Sequence, residues 1–417
     1  MKTLSLALFA LSLLAFSAFS ASAAPLSMLH AQGMRVVDAS GHPIALRGIN
    51  LGGWLVEEPW MEPFTIDPPA GSPYPRNQDH VSIWATAKAR FGEAGMLKIR
   101  NAFRNAWIQP SDFDNIKAAG MNCVRLPFLS SIVDEPGGLH YLDEAIDWAG
   151  ARGLYVILDM HGAPGGQSDQ DHTGHAGTPE FFTKGANVRK AMAIWAELAR
   201  RYRDNPTVAG YDLINEPVAT PTSDTLYVVE DRLYHAIRAV DPNHIIIMED
   251  GYTGIQWMPF PIPAGWDNVM YSSHYYDFNA KSAADQKRSV TGYLQGVLTQ
   301  SKRRDIPFYV GEFGFEPDGT AQLLAQMLGS CRDDGVAATM WTYKVTWGGA
   351  GQQNLWGLYS NTKPVAKLDF FTDSEAQLIA KCAQYRTQNL TPNAAAIAAF
   401  RRAAQANPPT LGDPLTP

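Results

Sequence analysis

YDLINEP (211–217) and YVGEFG (309–314) are two short apolar runs, each of which delivers a glutamate where the chain turns outward. In the first, the strand-like YDLI is followed by Asn215, Glu216 and a helix-hostile Pro217. In the second, YVG is followed by Glu312, Phe313 and Gly314. One such glutamate reads as easily as a solvated acid at a strand end as it does as a working group. Two in matching positions, about a hundred residues apart, make the solvated reading hard to sustain, so the placement of these two strands decides the rest.

Further segments of the same kind flank them. Strand-like runs are IALRGIN (44–50), NCVRLPF (122–128), YVILDMH (155–161), VAGYDLINE (208–216), HIIIMED (244–250), NVMYSSHYY (268–276), PFYVGEF (307–313) and AATMWTYK (337–344). Helical patterns separate them at 111–120, 142–153, 187–204, 226–240, within 282–304 and at 320–334. Strands that are apolar on both faces and alternate with helices belong to a parallel sheet covered by helices. Eight of them predict a closed (β/α)8 TIM barrel, folded as a single α/β domain over residues 24–406. An open doubly wound sheet is disfavoured, because no Gly-rich phosphate fingerprint follows the first strand. A short hairpin with its turn at Gly41-His42-Pro43 is expected ahead of the barrel.

Long connections follow strand one (51–110, with a helical patch near 82–106) and strand three (162–186), and an aromatic, Pro-rich stretch (251–267) replaces a helix. All three leave C-terminal strand ends, the face on which barrel enzymes carry their sites.

The first 23 residues read as a secretory signal: Lys2, an apolar stretch from Leu4 to Phe19, then Ala21-Ser22-Ala23. The expected product is exported, extracellular or periplasmic, and free of the membrane once the signal is removed. The formal net charge of −7 becomes −8 when the single positive charge of Lys2 leaves, and no basic patch with interleaved aromatics offers a nucleic-acid surface. A monomer with no cofactor is expected, and a Pro-rich tail from 407 to 417 is expected to fray. Eleven Trp and sixteen Tyr suit stacking on a flat polar ligand, although aromatics also fill cores. Cys123, Cys331 and Cys382 lack metal-ligand spacing, and pairing of Cys331 with Cys382 stays open. The Asp/His cluster at 169–175 supplies no complete ligand set, so no metal site is expected.

Two carboxylates converging on one mouth are the minimal machinery for breaking a glycosidic bond with retention of configuration. Around them, Arg125 is expected to end strand two, His161 strand three, Asn215 and Glu216 strand four, His274 and Tyr276 strand six and Glu312 strand seven, with Trp341 on strand eight. This ordered set resembles glycoside hydrolase family 5, the cellulase family, over nearly the whole chain after the signal. The resemblance implies Glu216 as general acid and base and Glu312 as nucleophile. It also implies Asn215 on the sugar 2-hydroxyl, His161 and His274 orienting hydroxyls or carboxylates, and Trp341 as a stacking floor.

LRGINLGGWLVEEPW (46–60) and DMHGAPGGQSDQDHTG (159–174) are more narrowly similar to the exo-β-1,3-glucanase branch, which implies that Glu58 and Asp171 bind hydroxyls of a terminal glucose. The segment 341–359 and the aromatic stretch 251–267 depart from that branch. The expected substrate is therefore a β-glucan or β-glucooligosaccharide, with endo-β-1,4-glucanase action or β-1,6-glucan and glycolipid cleavage as alternatives. A non-catalytic carbohydrate-binding barrel is the reading from another class. Trp54, Trp60, Trp257 and Trp347 are expected to tune which linkage is cut.

Overall fold

The computed structural model describes residues 25–315, 321–346 and 356–405. The expected signal and tail lie outside these residues, as does Trp347. Eight parallel strands close into a barrel: β1 (Arg47–Asn50), β2 (Cys123–Leu129), β3 (Tyr155–Gly162), β4 (Val208–Asp212), β5 (Ile245–Glu249), β6 (Val269–Tyr275), β7 (Phe308–Phe313) and β8 (Ala337–Met340), with β8 pairing back onto β1. β2 to β8 are buried along their whole length, as strands covered on both faces must be.

The period of two along each strand sorts side chains between the barrel interior and the helical layer. Low in the interior, Cys123, Ile157, Ile245, Ile247, Met270 and Ala337 pack with Leu29, Val36 and Leu46, which close that end. Two residues further up the same strands, the interior set becomes polar: Arg125 follows Cys123, Asp159 follows Ile157, Glu249 follows Ile247, and Thr339 follows Ala337. An apolar floor thus supports a polar upper layer, and that layer is the base of the site.

Several expected boundaries move. The N-terminal strands pair at His30–Gln32 with Arg35–Val37, while Gly41-His42-Pro43 closes only a single bridge from Val37 to Pro43. Arg125 lies inside β2 and does not end it. β4 stops at Asp212, and Asn215 and Glu216 stand beyond it; β8 stops at Met340, so Trp341 follows the strand. Lys344–Val345 belongs to a separate three-stranded sheet. All three cysteines are free and buried. Cys331 lies on helix Ala321–Asp334, which packs on Ala394–Gln405, whereas Cys382 ends helix Glu375–Cys382, which packs on His80–Trp107. Their helices dock on different neighbours, so no disulfide forms.

The loop after β1 leads into helix His80–Trp107, started by a capping box between Asp79 and Ser82 and kinked at Gly92, where φ is 69°. Among the described residues no helix is long and apolar enough to cross a membrane.

Candidate active site

Arg125 is fully buried at the centre of the upper layer, and nearly every polar group there is measured from it. Its Nε donates to Asp212 Oδ2 at 2.9 Å, its NH1 to Asn50 Oδ1 at 3.1 Å and to Glu312 Oε1 at 2.7 Å. Its NH2 donates to Asn215 Oδ1 at 2.9 Å and Glu249 Oε1 at 3.3 Å and lies 3.1 Å from Asp159. The planar guanidinium suits such a fork of acceptors. Burial alone would lower its pKa, but Asp159, Asp212 and Glu312 hold it well above the usual arginine value. One cation cannot neutralise all these acids. Burial accordingly pushes the Asp159 carboxyl up to about 7 and the Asp212 carboxyl well above its ordinary range.

Accepting from Arg125 fixes the Asn215 amide, and its Nδ2 is left buried without a partner. Gln167 ties the tops of β3 and the β4 loop together by donating to His161 O and Asn215 O.

Glu312 stands near the end of β7 with both oxygens engaged, Oε1 by Arg125 and Oε2 by the Tyr276 hydroxyl at 2.8 Å. Across the mouth, Glu216 sits at φ 42°, a left-handed conformation that a non-glycine residue adopts at a cost of order 1–3 kcal/mol. The Glu216 N–H donates to Glu249 Oε2 at 2.9 Å and holds this turn. The Glu216 Oε1 atom accepts from the Tyr252 hydroxyl at 2.7 Å and pairs with His274 Nδ1 at 2.8 Å. Gly311 makes room for that histidine, because a Cβ there would come within 2.8 Å of His274 Nε2.

Burial pushes the Glu216 carboxyl up, but hydrogen bonding and charge from His274, with His172 and Tyr252, outweigh it and hold the acid below its ordinary range. Burial would conversely lower His274, yet Glu249 and Glu312 raise it well above the usual histidine value. The two opposite shifts place the proton of this pair on His274 and not on Glu216. Atoms of Glu216, His274 and Glu312 lie within 4.8 Å of one another. They are engaged by each other, Arg125 and two tyrosines, and so form an acid–base cluster.

Above these groups opens a cavity of about 510 Å³, walled by Glu58, His161, Asp171, Asn215, Glu216 and Trp341 and bounded on the Glu312 side by Tyr276. Arg125 and His274 lie beneath it. The Trp341 ring stacks on His161 at 5.3 Å, and Gly52 lets it lie there, since a Cβ would meet Trp341 Cζ2 at 2.8 Å. Burial lowers His161 to about 3, so the ring is neutral, held by Asp159 Oδ2 at 2.7 Å. Glu58 accepts from Trp60 Nε1 at 2.8 Å, and burial beside Asp171 raises its pKa well above the carboxylate range.

Trp60 lines the cavity, but Trp54 does not: it is buried in the core, stacked on Trp148 at 6.1 Å. Trp257 is 65% exposed, away from the cavity wall. The walls that the sequence reading missed are Gln170, His172, Val218, Tyr252, Phe278 and Trp356, all outside the barrel strands. The buried acids Asp159, Asp212 and Glu249 were also missed, although Asp159 precedes His161 by two residues and so shares its face.

A parallel barrel whose strand tops hold two close carboxylates over a sugar-sized, aromatic-walled cavity defines a barrel glycosidase. A family model described as cellulase (glycosyl hydrolase family 5) matches residues 85–346, and the chain belongs to that family. Over 338 residues, 78% of this chain and 77% of the relative, it is 32% identical to "Probable glucan 1,3-beta-glucosidase A" of Aspergillus niger. It is 28% identical to a beta-xylosidase of Phanerodontia chrysosporium, over 76% of this chain and 71% of that one. The fold is also that of the catalytic domain of an endoglucanase from Thermobifida fusca, with a TM-score of 0.57 at 17% identity, covering 90% of this chain and 97% of the other.

Proposed function

We propose that this glycoside hydrolase removes glucosyl residues from the ends of β-1,3-linked glucan or short β-glucooligosaccharides with net retention. In this reading Glu312 is the nucleophile and Glu216 the acid and then the base. The observation that carries the mechanism is the separation of the two carboxylates, which present oxygens within 4.8 Å of each other. Retaining enzymes keep the pair about 5 Å apart, whereas inverting enzymes need roughly 6.5 Å or more to seat a water between them.

In the first step a Glu312 oxygen bonds to the anomeric carbon while the bond to the leaving oxygen breaks, and that oxygen takes a proton from Glu216. In the second step water attacks the same carbon, gives its proton to Glu216 and releases Glu312. Sugar entry expels water from the cavity, and the deeper burial favours the neutral carboxyl, shifting the shared proton from His274 to Glu216. The Nδ2 atom of Asn215, buried and unpartnered, is the donor for the 2-hydroxyl. Arg125 and Tyr276 hold the Glu312 carboxylate in its attacking orientation.

The substrate reading rests on the glucan 1,3-beta-glucosidase name of the relative and on two acids in the cavity wall, Glu58 and Asp171. Carboxyl groups in the wall suit the hydroxyls of a terminal sugar. On the same reading, the first 23 residues direct the enzyme out of the cytoplasm. The test is product sizing on laminarin, lichenan, carboxymethyl-cellulose and β-1,6-glucan. Glucose alone from laminarin is expected, and mixed oligomers from cellulose would overturn the substrate assignment.

A further inference from the structure

The two oxygens of Glu216 have different surroundings. Oε1 is occupied by the Tyr252 hydroxyl at 2.7 Å and by His274 at 2.8 Å. Oε2 has one close ionisable neighbour, His172 Nδ1, at 3.5 Å. His172 is itself 7% exposed, and its Nε2 is buried with no hydrogen-bond partner. A buried ring nitrogen without an acceptor disfavours carrying a proton there. The remaining nitrogen, Nδ1, is therefore the one that exchanges hydrogen bonds, and it faces Glu216.

The ring is not placed there by a free loop. It sits in a short 3-10 turn, Asp171–Thr173, closed by Thr173 Oγ1 donating to Gln170 O at 2.9 Å and by Gly174 at φ 79°. The turn is fastened to the start of helix His80–Trp107, where Val81 N donates to Gly174 O and Ala176 N to Asp79 Oδ2, both at 2.9 Å. On its inner side the ring meets His161 edge to face at 5.8 Å, and His161 is fixed in turn by Asp159 and Trp341.

We infer that His172 is a positioning residue that holds Oε2 of Glu216 as the proton-carrying oxygen and stabilises its ionised form through Nδ1. The inference rests on Glu216 being the acid and base. With Oε1 taken by two partners, the proton delivered to the leaving oxygen must travel on Oε2, and the residue beside Oε2 sets how readily that proton leaves and returns. The titratable groups facing Glu216 are His172, His274, Tyr252, Tyr276, Glu249, Asp250 and Glu312. Those facing His172 are Glu216, His161 and Asp171, with Glu58 beyond His161 at 3.8 Å. His172 is one of the groups that hold the Glu216 carboxyl below its ordinary range, in keeping with this geometry.

The sign of the effect follows. Removing a group that favours the carboxylate raises the acid's pKa, so the basic limb of kcat, which reports loss of the acid's proton in the substrate complex, moves to higher pH. The experiment compares His172→Phe, which fills the space without either nitrogen, and His172→Gln, which keeps a polar contact. Rates are measured from pH 4 to 9 on laminaribiose and on dinitrophenyl β-glucoside, whose leaving group needs no acid. The expected result is a basic limb raised by about 0.5–1 unit in the Phe variant and less in the Gln variant. The expected loss is about tenfold on laminaribiose and under about twofold on the aryl glucoside.

An unmoved basic limb, with equal losses on both substrates, would show that His172 merely packs and would overturn the inference. Glu216→Gln run alongside separates the two levels of the reading: it should lose laminaribiose hydrolysis and release a burst of about one dinitrophenol per chain, then stall because the second step still needs the base. A Glu216→Gln enzyme that still cleaves laminaribiose at full rate would remove Glu216 from the acid role and the inference with it.

Discussion

A single guanidinium, buried at the barrel centre, faces Asp159, Asp212, Glu249 and Glu312. Replacing Arg125 with Met leaves these acids without their common cation, and breaking such buried networks costs about 3–5 kcal/mol. Urea unfolding should show that loss, together with an enzyme inactive even where it remains folded. The pair Asp159 and His161 makes a second prediction. His161 is lowered to about 3 when folded, so between about pH 3 and 6.5 the folded state holds fewer protons there than the unfolded state, and stability gains with rising pH. Asp159, raised to about 7, does the opposite between about 4 and 7, because there the folded state holds the extra proton and stability is lost as pH rises. In the native protein the two nearly cancel. His161→Asn removes one of them, so its unfolding free energy should fall, relative to the native protein, as pH rises from 4 to 7. A parallel pair of stability–pH curves would contradict this.

At the scale of the element, alternation along each strand carries the side chains from an apolar floor to the polar upper layer, and loops then aim what the strands present. Gly52→Ala places a methyl group within 2.8 Å of Trp341 and 2.7 Å of Thr342 Oγ1. Overpacking of that kind typically costs 1–3 kcal/mol and tilts the ring, so kcat should drop by about tenfold or more with a changed Trp fluorescence spectrum. The strands and most helices were legible because burial on both faces writes long apolar runs, and helix periodicity separates them. Ends at the functional face were not, because polar residues there leave the ladder to bond side chains. Glu216 turns into a left-handed conformation beyond Asp212, and Trp341 follows Met340 into the cavity. The ten residues singled out from the sequence converge on one cavity because most are tied to strands whose order was readable. Tyr252, His172, Phe278 and Trp356 depend on loop paths that carry no period, and Trp54, with the same composition signal as Trp60, turned inward to the core.

For the whole molecule, the barrel brings β4 and β7 to opposite sides of one mouth, and three long connections turn that mouth into a pocket. The aromatic side is open: Phe278 is 68% exposed and stacks on Tyr276 at 5.6 Å, next to Trp356. Phe278→Ala should raise KM for laminarin several-fold and leave release of dinitrophenol from the aryl glucoside nearly unchanged, because a face-on ring contact there lies beyond the scissile bond. The central claim is that Glu312 forms a covalent bond to the sugar while Glu216 moves the proton. Its most direct test is inactivation with a 2-deoxy-2-fluoro-β-glucosyl fluoride, followed by intact-mass measurement and peptide mapping. The account predicts one added fluoroglucosyl group per chain, on the peptide that contains Glu312, and loss of that label in Glu312→Gln. A label on another carboxylate, or the α-anomer as the first product of unmodified substrate, would contradict it.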